Sequence, residues 1–281
     1  MLRPAARIDV LSIMDQERAE FVRFLGSLSD EDRATTTARE GWTVADVAVH
    51  LLGDDLFFLS RCRDAHETSE FGSAEEWDEL VGRLDDLNDR WVGAGRRLSA
   101  RLVAELLEVT GRLGAEFLTS VDPAAPGEVV SWAGPQTSPW WLVSAREFSE
   151  RWVHHQQIRD ALGRPGLNGP SFVAPILATA MHGVPYAYAD LDAPEETTVA
   201  IDVTGRAGYS WAVRREAQGW KLYEGLTRDA TTRLTLAQDT AWRFLARMLP
   251  QSEARPKVTI EGEQAYAEPF FDAVSAIVRR R

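Results

Sequence analysis

The chain has 281 residues, 44% of them hydrophobic and ten of them tryptophan, enough to bury a substantial core in one large or two ordinary domains. A formal net charge of −12 argues against nucleic acid and anionic membranes as partners and leaves a small molecule. Met1–Asp9 does not lead into a secretory signal, no apolar run is long enough to span a bilayer, and Cys62 is the single cysteine, so a soluble, cytoplasmic protein without an internal disulfide framework is expected.

Residues 6–28 carry Ile8, Leu11, Ile13, Phe21, Val22, Phe24 and Leu25 near helical spacing. Thr43 with Asp46 three residues on is a capping box that opens a helix over 43–64, with Val44, Val47, Ala48 and Leu51 as its apolar stripe. His50 flanks that stripe, in the row that holds Val47, Asp54 and Phe57. As an ordinary boundary histidine it would hydrogen-bond Asp54; as a metal ligand it would be oriented by that same Asp54. Cys62, three turns on, reads as a packed or partly exposed thiol and not a nucleophile, so thiol chemistry would need an external thiol.

A long helical pattern runs from Ala74 to Thr119, with Gly93 and Gly95 as candidate breaks, and a Pro-rich irregular stretch, 121–139, crosses to a helix over 138–162. In that helix Glu150 and His154 lie one turn apart on a face shared with Val143, Gln157 and Ala161, while Phe148, Trp152 and Leu162 lie nearly opposite. A helix with apolar groups on both sides is buried on both sides, so Glu150 and His154 are expected to point inward. A buried carboxylate needs a partner, and a divalent cation is a good one. Glu-x-x-x-His alone is a weak signal, more often an ordinary i,i+4 contact; with His50 it becomes two nitrogens and one carboxylate, a site with open positions used by catalytic zinc and by iron oxygenases alike. Four such helices with a long connection make a bundle whose interior can host ligands.

A further helical piece covers 170–189, with His182 read as structural or exposed, and His155, one residue step from His154, is assigned to a domain interface. Beyond Pro194 the apolar period changes to two: Val199, Ile201 and Val203, then Tyr209, Trp211 and Val213, then Trp220 and Leu222, then Leu234 and Leu236, with turns at Gly205–Gly208 and Ala217–Gly219. Helices are expected over Thr240–Leu249 and Glu263–Arg279, around a strand at 257–261. The fold class is therefore α+β, with a helical bundle over 1–165, a helical connection over 166–194 and a compact α+β module over 195–281.

The blocks Trp42-Thr43-Val44-x-Asp46-Val47-x-x-His50-Leu51, Glu150-Arg151-Trp152-Val153-His154 and Asp160-Ala161-Leu162-Gly163 resemble the mycothiol-dependent maleylpyruvate isomerase family of the DinB-like superfamily, and the C-terminal part resembles the sterol-carrier-like domain that family carries. The resemblance implies a DinB-like four-helix bundle that binds zinc through His50, Glu150 and His154, with mycothiol as thiol co-substrate. It also implies a C-terminal arginine near the site, for which Arg228, Arg233, Arg243 and Arg247 are candidates, with Arg243 the one expected to reach the substrate. Three functions fit. In the first, a zinc-bound thiolate attacks an electrophilic small molecule, either leaving again after isomerisation or staying on the product. The second is a metal-dependent hydrolase with Asp54 or Glu147 as base. The third is a ligand-binding protein without turnover. A monomer or a homodimer serves any of them.

Overall fold

In the computed structural model, which describes residues 2–66 and 77–273, a helical region is followed by a sheet region. After a two-residue strand, β1 (Arg3–Pro4), come α1 (Leu11–Gly26), the short α2 (Asp30–Ala34) and α3 (Val44–Phe58), which runs on into one π-helical turn at Leu59–Arg63. Then follow α4 (Trp77–Gly95) and α5 (Ala100–Ser120). The expected start of that pattern at Ala74 lies outside the described residues. Gly95 ends α4 and Ser99 caps α5 by accepting from the Leu102 N–H, so the break falls where the glycines place it.

The stretch 121–139 is less irregular than its prolines suggest: β2 (Pro126–Val129) and β3 (Thr137–Pro139) form a small hairpin that delivers the chain to α6 (Trp140–Ala161). The helix expected over 170–189 is two, α7 (Pro170–Met181) and α8 (Val184–Ala187), separated at His182 and Gly183, because Pro185 has no N–H to give the Met181 carbonyl. The strands are β4 (Thr198–Thr204), β5 (Tyr209–Glu216), β6 (Gly219–Glu224), β7 (Thr232–Ala237) and, after α9 (Gln238–Leu245) and α10 (Gln251–Ala254), β8 (Thr259–Gly262). Among the described residues of the expected helix 263–279, 264–266 and 268–272 are short 3-10 turns, as Pro269 would leave one helical bond unmade and crowd the preceding turn; 274–279 lie outside the described residues.

The sheet order is β1-β6-β5-β4-β7-β8, antiparallel throughout except for β4 beside β7. β1 is the surprise: it pairs Arg3 with Glu224 and Pro4 with Tyr223, so the start of the chain supplies an edge of the C-terminal sheet. Two residues are too few to leave an alternating pattern in sequence.

Helices α1, α3, α5 and α6 pack together around Phe21, Leu25, Val44, Val47, Leu51, Leu52, Val103, Leu107 and Ile158. Gly53 sets the distance to α4: a Cβ there would lie 2.5 Å from the Trp91 indole nitrogen, which instead donates to the Val49 carbonyl at 2.7 Å. A larger core joins the other face of α6 to α7, α9 and the sheet, and Phe148 and Trp152 sit in it fully buried. The Trp152 ring meets Trp242 edge-on at 4.8 Å, and its N–H reaches the Leu167 carbonyl. A helix flanked by two cores has no outer face, which explains why α6 lacks a single apolar stripe.

Candidate metal centre

Two helices bring the site together. On α3, Thr43 and Asp46 form the expected capping box, and Arg96 grips the Asp46 carboxylate with two bonds of 2.9 Å, which fixes the start of the helix and hence the rotation of His50 and Asp54. On α6, Glu150 and His154 point at them. His50 Nε2 lies 3.2 Å from His154 Nε2 and 3.2 Å from Asp54 Oδ2, and Glu150 Oε2 lies 3.7 Å from His154 Nε2. Among the described residues, donor atoms of His50, Asp54 and His154 all fall within 4.8 Å of one another. The imidazoles are seated deepest, with 9% and 16% of their side chains exposed against 34% for Asp54 and 31% for Glu150, so the cluster opens to solvent on its carboxylate side.

The donor set suits a divalent cation. His154 Nδ1 gives its hydrogen to Gln157 Oε1 at 2.7 Å, while the Gln157 amide nitrogen donates to Met248 Sδ at 3.1 Å, an arrangement that fixes the amide and leaves the Nε2 lone pair of His154 facing the cluster. His50 packs at a tilt against Trp42, and its Nδ1 is buried without a partner, so its ring is held by packing and by the cluster itself. Burial, then the neighbouring His154 and Arg39, hold the His50 pKa well below the usual histidine value, and burial takes His154 down to about 4. Both rings are therefore neutral ligands at neutral pH. Burial and then Glu150 push Asp54 well above the carboxylate range, and burial and then Glu147 lift Glu150 to about 7. Two carboxylates raised together are a site short of positive charge.

That imbalance makes metal affinity depend on pH. Binding must displace a proton from Glu150, whose carboxyl is lifted to about 7, but none from the imidazoles, so affinity should fall by about tenfold per unit below pH 7. Titration with zinc between pH 8 and 6 would read this, and Glu150→Gln should make the profile shallower; an unchanged slope would show that Glu150 is not one of the groups deprotonated. Gln157→Leu removes the hydrogen bond that selects the His154 tautomer and should weaken metal binding about 10–100-fold with little change in fold. A wild-type dissociation constant in that variant would rule the orienting role out.

Other groups considered from sequence are not among the clustered donor atoms. Glu147 is held by Arg146 and Arg151, at 2.5 and 2.8 Å, with both guanidinium groups overcoming burial to keep it ionised. Cys62 is half-buried beside Glu128, and burial raises its thiol to about 12, the opposite of an activated nucleophile. Arg243 bonds Asp160 on α6 at 2.5 Å and Asp239 at 3.0 Å, with its guanidinium over Trp242, whereas Arg233 is held on the sheet by Asp202. His182 meets the Trp141 ring. His155 is not at an interface with the sheet region but buried against α1, where it bonds Glu17 at 2.8 Å and packs on Phe21 and Phe24. Sequence reasoning passed over Gln157 as a partner, although it stands three residues from His154, and over Arg39, whose guanidinium lies on Trp42. Asp54 was legible as a ligand by the same criterion that singled out Glu150, since it is four residues from His50.

A family model described as the mycothiol maleylpyruvate isomerase N-terminal domain matches residues 14–159, a span that holds all four of these side chains. The chain belongs to this family. In fold it is similar to the crystal structure of the mycothiol-dependent maleylpyruvate isomerase, with 13% identity, 90% of this chain and 92% of that chain covered, and a TM-score of 0.52. A mutant of such an isomerase, with one histidine changed to alanine, aligns over the same shares of the two chains at 14% identity and a TM-score of 0.48. No curated protein matches the chain. Membership of the mycothiol maleylpyruvate isomerase family gives the cluster its context, because the matched segment spans both helices that build it. Among the described residues, no helix is long and apolar enough to cross a membrane.

Proposed function

We propose that the chain is a metal-dependent enzyme that uses mycothiol as co-substrate, an isomerase or S-transferase acting on an electrophilic small molecule. The observation that carries this reading is the convergence of His50 Nε2, Asp54 Oδ2 and His154 Nε2, with Glu150 beside them, on one solvent-open spot inside the family-matched segment. His50, Glu150 and His154 would hold the cation, most simply zinc, given a set of neutral nitrogens and a carboxylate. When bound, the cation supplies charge that lowers the pKa of a coordinating thiol.

The chain's own residues do the rest. Gln157 keeps the His154 lone pair turned inward. Asp54, the carboxylate 3.2 Å from His50 Nε2 and open to solvent, accepts the thiol proton. Cys62 supplies no competing nucleophile. Arg243, joined to α6 through Asp160, is the arginine of the C-terminal part assigned to the substrate. The proposal includes a DinB-like four-helix bundle over 1–165, a connection over 166–194, a sterol-carrier-like module over 195–281, and a monomer or homodimer in the cytoplasm.

The test is thiol dependence. Turnover of candidate electrophiles should require mycothiol or a close mimic, and Cys62→Ser should leave it unchanged. Mass spectrometry of the product separates isomerase from transferase by whether sulfur is retained. Equal turnover after exhaustive removal of thiol would replace this reading with a hydrolase that uses water.

A further inference from the structure

Beside the candidate ligands runs a second row of charged residues that the proposed chemistry does not use. On α3 it is Asp55, next to Asp54; on α6 it is Arg151, next to Glu150, with Glu147 one turn before it. Asp55 is 1% exposed and Arg151 8%. Arg151 donates to Asp55 Oδ1 from Nε at 3.0 Å and from Nη2 at 2.6 Å, and from Nη1 to the Glu147 carbonyl at 2.7 Å and Oε2 at 2.8 Å. Asp55 also accepts from Arg18 of α1 at 3.0 Å and from the Thr110 hydroxyl of α5 at 2.7 Å, and Arg18 reaches the Leu107 carbonyl. One carboxylate thus ties α1, α3, α5 and α6 at a single level.

We propose that Asp55 and Arg151 are positioning residues for the metal centre: their bond fixes the rotation and slide of α3 against α6, and so the separation of His50 and Asp54 from Glu150 and His154. The proposal rests on the reading of that cluster as a metal site. Its physical basis is adjacency. Each ion-pair residue follows an inward-facing carboxylate by one position, so a turn of either helix that loosened Asp55–Arg151 would swing Asp54 or Glu150 by the same angle. Apolar contacts are non-directional and tolerate such a slide, whereas a charged bond in a buried site does not. Burial of this pair does not by itself argue for stability, because apolar replacements of buried ion pairs are often neutral or stabilising; positional specificity is the stronger reason to keep it.

The hub supplies its own control. Arg151→Met cuts α3 from α6 yet leaves Asp55 with Arg18 and Glu147 with Arg146. Arg18→Met removes a cation from the same Asp55 but cuts α3 from α1, leaving the α3–α6 bond. Zinc affinity by competition titration, the cobalt absorption spectrum and the denaturant midpoint would be measured for both and for the wild type. We expect Arg151→Met to weaken zinc about 10–100-fold and alter the cobalt spectrum, and Arg18→Met to lower the midpoint while leaving affinity and spectrum unchanged. Equal effects of the two on affinity, or wild-type affinity in Arg151→Met, would overturn the proposal. Should Arg151→Met fail to fold, Arg151→Lys against Arg18→Lys makes the same comparison with charge retained. A wild-type protein that binds neither metal would instead sink the metal-site reading, so the two failures are distinct.

Discussion

His154→Ala should purify with little or no divalent metal, against about one ion per chain in the wild type, and with no measurable turnover. His154 supplies one of two inward-facing nitrogens, and its neutral state, with a pKa of about 4, means that it does not have to lose a proton to bind. Alanine removes the ligand and leaves Asp54 and Glu150 facing each other with their charge uncompensated. Losing one ligand of a site with so few makes binding fall steeply, and the remaining carboxylates would take up protons instead. His50→Ala should act alike. Elemental analysis after dialysis checks both; full occupancy in either variant would remove that residue from the ligand set.

Trp152→Ala should cost about 3–5 kcal/mol of stability, the usual toll of truncating a fully buried aromatic. The ring is 0% exposed and meets Trp242 at 4.8 Å, and the Leu167 carbonyl loses its donor as well. Because Trp152 faces the sheet region and His154 the other side of α6, metal stoichiometry in the folded variant should be unaffected. Urea titration followed by Trp fluorescence reads the first effect and elemental analysis the second. A loss below about 1 kcal/mol would mean that the core collapses around the gap.

The helices that build the site were legible because their signals are local. A capping box announces the start of α3, a one-turn offset pairs Glu150 with His154, and apolar residues on both sides of 138–162 foretell a helix between two cores. Strands β4 to β7 were legible by their alternation. What escaped has non-local causes. No property of Arg3–Pro4 foretells pairing with β6. The 3-10 turns at 264–272 follow from one proline that the apolar pattern outweighed. At the site, the approach of His50 to His154 spans 104 residues and depends on how α3 meets α6, so sequence could name both rings but not their separation. Met248 of the C-terminal part behind Gln157 was likewise a product of packing.

The pairing of Arg3 with Glu224 also bears on the order in which this protein can be completed. Synthesis yields the first edge residues of the sheet before any of its other strands, so α1, α3, α5 and α6 can assemble while Arg3–Pro4 wait for a partner made some two hundred residues later. Closing so long a loop costs little more than closing one half its length, since the entropy grows only logarithmically, but the contact comes late. Until it forms, β6 carries a bare hydrogen-bonding edge of the kind that recruits other chains. Arg3 and Pro4 thus cover the Tyr223–Glu224 end of that edge, and the sheet gains this border only when two segments far apart in the chain have met.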